Sequence, residues 1–470
     1  MNMNPGWFAW SLACLLSACT VGPDFVRPQL PEAAWHAPLP HGGKIENLAH
    51  WWERLDDPLL TQLIMAAEKN SPTLDMALAK VEEARAGVDL SRAPSFPQGG
   101  ISGNAVRSKS VFGSQLLLQT SVRTGFDAGW ELDLFGGNRR SQEFARARLG
   151  AADQNWHDAR ISLAAEVAES YVELRTCEAS LVVLEKSLAS RTVTRELITM
   201  KQGSGFASIV DAARSQASQT ESASALETKK GECAHGVNRL SAVTGMEHEV
   251  LRQSLLAHTA QLPDVRETAL DNVAANALRQ RPDVAAGEFN LAAASADIGV
   301  ARAEYYPGLT LLGSVGINHV SSRGATTKAS TWSFSPSLSI PAFFDGGKRA
   351  ADQDAAQARY HYALAAYQQT VRSAIREIED ALVRLDVANR RLTQSRDALG
   401  QYQAVRQTSE ARSHVGMANQ LELEEIARTV LQGQDAVLQN QRESVSAWIA
   451  LYKALGGGWQ DAAVIVEGKQ

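Results

Sequence analysis

The sequence predicts a mixed fold: long helices joined to β-ribbons of membrane-spanning length, the whole arrangement built twice. Three observations predict it. The chain matches itself at an offset of 210 residues. Four stretches alternate apolar and polar residues with a period of two, and about 120 residues of each copy are rich in helix formers and free of proline.

The offset places Pro72 on Pro282, Arg92 and Ala93 on Arg302 and Ala303, Phe96 and Pro97 on Tyr306 and Pro307, Gly136 and Gly137 on Gly346 and Gly347, and Arg139 on Arg349. Pro, Gly and Arg positions spread over about 65 residues obey one shift, so each copy is a whole structural unit rather than a solenoid turn. The predicted organisation is a leader at 1–18, an N-terminal segment at 19–58, repeats at 59–262 and 263–458, and a tail at 459–470.

Of the 470 residues, 44% are hydrophobic and 21% charged, and after the first 20 none form an apolar run long enough for a transmembrane helix. Strands or a lipid must therefore make any membrane attachment. A net charge of −6 with scattered Lys and Arg provides no basic field for nucleic acid.

Residues 7–16 form an apolar run too short to span a bilayer, and it ends in Leu16, Ser17, Ala18 and Cys19. This resembles the lipobox of bacterial lipoproteins, in which the leader is removed and Cys19 becomes the lipid-bearing first residue. That covalent lipid is the only cofactor expected. Residues 1–6 depart from the pattern, carrying no Lys or Arg. Thr20, where inner-membrane retention would place Asp, implies sorting to the outer membrane.

Within the first repeat, residues 59–92 read as helix with Pro72 at a helix start, where the missing N–H costs nothing. Pro282 opens the counterpart. No proline lies between Pro97 and Pro263 or after Pro341, which predicts helical hairpins over about 137–245 and 346–456, with tips at 203–206 and 413–419 where Gly interrupts. The long arm of each, about 60 residues, would reach roughly 90 Å.

The strands are expected at about 101–109, 121–132, 308–318 and 331–341. In residues 332–340 every even position is apolar or Pro and every odd one is Ser. Ribbons of about ten residues with one oily and one polar face are the signature of a transmembrane β-barrel, which needs at least about eight strands. Four strands cannot close one, so several copies must pool theirs; three copies would supply twelve.

The chain resembles the TolC-like outer-membrane efflux family of the NodT type, along essentially its whole length. The likeness is carried by Cys19-Thr20-Val21-Gly22-Pro23-Asp24-Phe25, Trp51-Trp52 with Asp57-Pro58, Trp130-Glu131-Leu132-Asp133-Leu134-Phe135-Gly136, Arg281-Pro282-Asp283, Ile298-Gly299-Val300-Ala301-Arg302-Ala303, Phe344-Asp345-Gly346-Gly347 and Tyr452-Lys453-Ala454-Leu455-Gly456-Gly457-Gly458-Trp459. It implies a homotrimer with a twelve-stranded barrel and an α-helical tunnel. Such a trimer is a passive exit duct reached through a periplasmic adaptor protein from an inner-membrane RND transporter. A duct for type I protein secretion or metal efflux shares this physics, and a structural coiled-coil lipoprotein is the reading from another class.

The duct reading directs attention to the tips. Leu421, Glu422, Glu425 and Arg428 are spaced three and four apart on a helix following Gly416, and the family places paired acids at such positions in its periplasmic constriction. Here Glu replaces Asp, and Ser413 and Ala418 stand where some members have Tyr and Arg. Asp211 and Arg214, after Gly205, are secondary candidates for links between hairpins. Cys177 and Cys233 are equidistant from residue 205, at one height of an antiparallel hairpin; they either bridge or pack as two small apolar residues. No catalytic constellation, metal-ligand spacing or phosphate-binding loop was found, so no enzyme activity is expected.

Overall fold

The alternation of residues sets a four-stranded antiparallel sheet in chain order, β1 (Gln98–Phe112), β2 (Gln115–Leu132), β3 (Gly308–Ser322) and β4 (Ala325–Ser339). The computed structural model describes residues 20–30, 51–112, 115–257, 259–263, 276–322, 325–341 and 344–457. Cys19, the leader and the tail lie outside them. Helices are α1 (Pro58–Asn70), α2 (Pro72–Arg92), α3 (Gly137–Gly203), α4 (Ile209–Thr244), α5 (His248–Leu256), α6 (Asn276–Arg279), α7 (Pro282–Ala303), α8 (Lys348–His414) and α9 (Gln420–Ala454). No helix among the described residues is long and apolar enough to cross a membrane.

The chain divides into two compact units that cut across the sequence repeats, because each repeat contributes strands to one and hairpin arms to the other. The first unit holds the sheet. Its register aligns Ile101, Phe126, Val315 and Trp332 in one row and Gly100, Asp127, Ser314 and Ser333 in the next. Hydrogen bonds fix the polar face: Arg123 donates to Asp127 Oδ1 at 3.1 Å and to Ser314 Oγ at 3.1 Å, and Ser314 meets Ser333 at 2.9 Å. β1, β3 and β4 run 15 residues and β2 runs 18, longer than the alternation indicated. Ladder pairing carries the strands through ends whose sequence gives no clean alternation. β1 and β4 each pair on one side only.

The segment after position 19 is tied to the exit of β2. Val21 N donates to Phe135 O at 3.0 Å, and the buried Arg140 donates to Val21 O at 3.2 Å, Asp24 at 2.7 Å and Glu143 at 2.7 Å.

In the second unit Asp57 caps α1 by accepting from Leu59 N at 2.9 Å, and Pro58 sits at the first helical position. This aims the stripe Leu59, Leu60, Leu63, Ile64 and Ala67 into the core. The other Asp57 oxygen accepts from Tyr171 Oη at 2.6 Å. Arg175, wholly buried, lies over the Tyr171 ring at 5.0 Å and donates to Glu178 at 2.8 Å and Leu255 O at 3.0 Å. Burial, with the bond to Asp57, pushes the Tyr171 phenol well up. Trp51 stacks on Tyr452 at 5.3 Å, and the buried Arg281 binds Ala454 O at 2.8 Å, Asp283 at 2.7 Å and Glu377 at 2.7 Å.

Candidate functional site

The site is built at the turns of two hairpins in the second unit. Both turns end a long helix in the same way. Phe206 N bonds Lys201 O at 2.8 Å and Gly205 N bonds Gln202 O at 3.0 Å; Met417 N bonds Arg412 O at 2.8 Å and Gly416 N bonds Ser413 O at 2.9 Å. This six-to-one and five-to-two pairing requires a left-handed residue, supplied by Gly205 at φ +80° and Gly416 at φ +76°. The return helices are capped at once, α4 by Ser208 and α9 by Asn419, whose Oδ1 accepts from Glu422 N at 3.0 Å.

The predicted residues separate into distinct roles. Leu421 and Arg428 line a cleft of about 470 Å³ together with Thr194, Ile198, Phe206 and Arg214. The Arg428 side chain is only 13% exposed; it pairs with Glu425 and donates to Thr194 Oγ1 on α3 at 3.0 Å. Glu425 is 73% exposed, and Glu422, 38% exposed, accepts from Arg412 at 3.3 Å. The helix side carrying both Glu residues therefore remains open, whereas Arg428 turns from it to clamp α9 against α3.

Within the described chain, Asp211 serves its own helix. Its carboxylate binds Ser208 N at 3.2 Å and Ser208 Oγ at 2.7 Å, completing a capping box within its own helix. Those bonds hold Asp211 below the usual Asp value. Arg214 lines the cleft. Links between hairpins within the chain come from residues that sequence reasoning passed over: Ser190 Oγ donates to Glu424 Oε2 at 2.6 Å, and Ser180 Oγ donates to Asp435 Oδ1 at 2.7 Å. Small hydroxyls on a long helix give no sequence signal. Arg412 does give one, a basic residue in the last helical turn before Gly416, and it donates to Met417 O at 3.1 Å.

Below the first tip, Cys177 and Cys233 form a disulfide with a Cα–Cα distance of 5.6 Å, joining α3 to α4. The chemistry available at the tips is therefore electrostatic: exposed carboxylates on one hairpin, held by arginines that are themselves braced.

A family model described as "Outer membrane efflux protein" matches residues 63–246 and 273–457, one segment in each repeat. The solvent efflux pump outer membrane protein SrpC of Pseudomonas putida is 29% identical over 463 residues, covering 95% of this chain and 96% of its own. The cation efflux system protein CusC of Escherichia coli O157:H7 is 28% identical over 457 residues, covering 96% and 98%. Among solved structures, the outer-membrane channel OprN shares 30% identity with a TM-score of 0.84, over 94% of this chain and all of its own.

Proposed function

Because this chain belongs to the outer membrane efflux protein family, we propose that it is the passive exit duct of a tripartite efflux pump in a Gram-negative outer membrane. One observation carries the mechanism: a sheet with an apolar face, a hydrogen-bonded polar face and two open edges, whose strands lead into helices of 67 residues. Open edges are costly in hydrocarbon, where no water satisfies backbone groups. Copies of the chain therefore join edge to edge. Three would close a barrel of twelve strands, polar face inward, and their 67-residue helices, each about 100 Å long, would form the periplasmic tunnel.

A lipid on Cys19 anchors the trimer without spanning the bilayer. The fastening of residues 21–24 to Phe135 and Arg140 supports an anchor held close to the barrel. The periplasmic ends of the hairpins meet an adaptor protein, which connects the duct to an inner-membrane RND transporter. Cargo is set upstream: relatives named for solvents and for cations resemble this chain equally, at 29% and 28% identity.

Glu422 and Glu425 from three copies form the acidic constriction, with Leu421 narrowing it and Arg428 holding its wall. Rings of carboxylates favour cations and resist anions. The test is Glu422→Ala with Glu425→Ala in planar bilayers, where single-channel conductance rises and the reversal potential shifts away from cation preference. Wild-type values in the double variant would remove the gate. Deletion of the gene should raise drug accumulation and susceptibility; unchanged accumulation would remove the efflux assignment.

A further inference from the structure

The charged residues of the four strands are sorted by face. On the polar face lie Arg123, Asp127 and Glu131; on the apolar face lie Arg107, Lys109, His319 and Lys328, and no acid. The four basic residues also share one end. Ala105, Val122, His319 and Lys328 form a single row, with Arg107 two residues and Lys109 four residues nearer the hairpin loops. All four are exposed, and none has an acidic partner among the described residues.

Their height matters. From Leu132 to Val122 the outward residues of β2 are Leu132, Trp130, Ala128, Phe126, Thr124 and Val122, none of them charged. Ten residues of tilted strand cover about 25 Å, the height of the apolar band of such barrels. His319 and Lys328 therefore stand at the upper rim of the band, and Arg107 and Lys109 just beyond it. The helical end is built differently: Phe135 stacks on Tyr306 at 4.7 Å, and two basic residues there are paired with acids, Lys348 with Asp352 at 2.7 Å and Arg349 with Asp345 at 3.0 Å. The four basic residues near the hairpin loops have no such acidic partner among the described residues.

We propose that Arg107, Lys109 and Lys328, with His319 as a further N–H donor, bind phosphate-bearing glycolipid of the outer leaflet. The assignment rests on the strands being transmembrane with their hairpin loops outside. Arg107 and Lys109 are about 7 Å apart on one face of β1, a spacing that lets two cations share one phosphate or hold two neighbouring ones. Arg supplies the paired donors that suit phosphate oxygens, Lys a point charge. At a lipid surface, attraction of this kind is shared among several basic residues and screened by salt.

The test uses purified wild-type trimers in mild detergent, titrated with bisphosphorylated lipid A and followed by native mass spectrometry. Binding is expected to weaken at least about tenfold in Arg107→Ser with Lys109→Ser and Lys328→Ser, and equally when the lipid is dephosphorylated. Exchanging the residues as Arg107→Lys, Lys109→Arg and Lys328→Arg should retain binding, and Arg123→Gln on the polar face should leave it unchanged. Equal affinity of the serine variant, or of the dephosphorylated lipid, overturns the proposal. Single-channel conductance of the same preparations separates the two readings: a conducting protein with unaltered lipid binding sinks the glycolipid site alone, and a non-conducting wild type sinks the transmembrane reading.

Discussion

At the scale of single residues, three buried or half-buried groups decide what the second unit tolerates. Tyr171→Phe deletes one hydrogen bond and leaves an Asp57 oxygen without its donor. The expected loss is about 1–3 kcal/mol, read as a lowered denaturant midpoint at unchanged m-value. Asp158 titrates in the opposite sense from most carboxylates, since burial and the neighbouring Asp283 raise its pKa above the ordinary 3.8. The folded state then binds the proton more tightly than the unfolded one. Stability from this group is full below the unfolded value and is lost as pH rises through the folded value. Asp158→Asn should accordingly melt higher than wild type at pH 7, with the gap closing toward pH 3; a gap independent of pH would count against it. At the tip, the half-buried Arg428 carries the brace. Arg428→Met keeps its bulk, removes its bonds to Glu425 and Thr194, and should raise open probability in planar bilayers without lowering the melting temperature by more than a few degrees. Unaltered gating would return Arg428 to a purely packing role.

At the scale of elements, the two hairpins are fastened by different means. α3 and α4 are joined covalently by Cys177–Cys233 across 56 residues. The junction of α3 with α9 is polar: Ser446 donates to Glu169 at 2.8 Å, Ser180 to Asp435 at 2.7 Å and Ser190 to Glu424 at 2.6 Å. Bonds of this kind contribute only about 0.5–1.5 kcal/mol net, because water replaces them when helices part. The first hairpin is thus cross-linked covalently, whereas these bonds between α9 and α3 can be exchanged for water. Replacing both cysteines with serine should cost about 2–4 kcal/mol of stability by freeing the unfolded chain, measurable as an earlier unfolding transition that reducing agent reproduces in wild type and leaves unchanged in the variant. The sequence disclosed these elements unevenly. Gly205 and Gly416 marked both turns because only a left-handed residue ends a helix in this way. Strand ends such as Gly99 and Gly100 were hidden because residues without a side chain have no face to alternate. The capping role of Asp211 was overlooked although Ser208 and an acid three residues on are a capping-box spacing. Ser190 and Thr194 could not be read at all, since their partners lie more than 230 positions away.

At the scale of the molecule, the open sheet dictates the assembly. β1 is 15 residues long, so alternation directs roughly seven N–H and seven C=O groups away from β2, and β4 presents a similar set. Each such group costs several kcal/mol when left bare in hydrocarbon, which sums to tens of kcal/mol for one exposed seam. Association costs about 4–15 kcal/mol in lost freedom, far less than the seam. On the proposed pooled-barrel reading, a lone chain is disfavoured in the bilayer and the closed ring should resist dissociation. The protein extracted in mild detergent should have three times the polypeptide mass by light scattering, and it should migrate in unheated SDS as a species that boiling converts to the single chain. Heat is needed because the seam bonds are shielded from water and detergent until the strands part together. A monomer in mild detergent, folded by circular dichroism, would show that these edges are satisfied within one chain and would refute the pooled barrel.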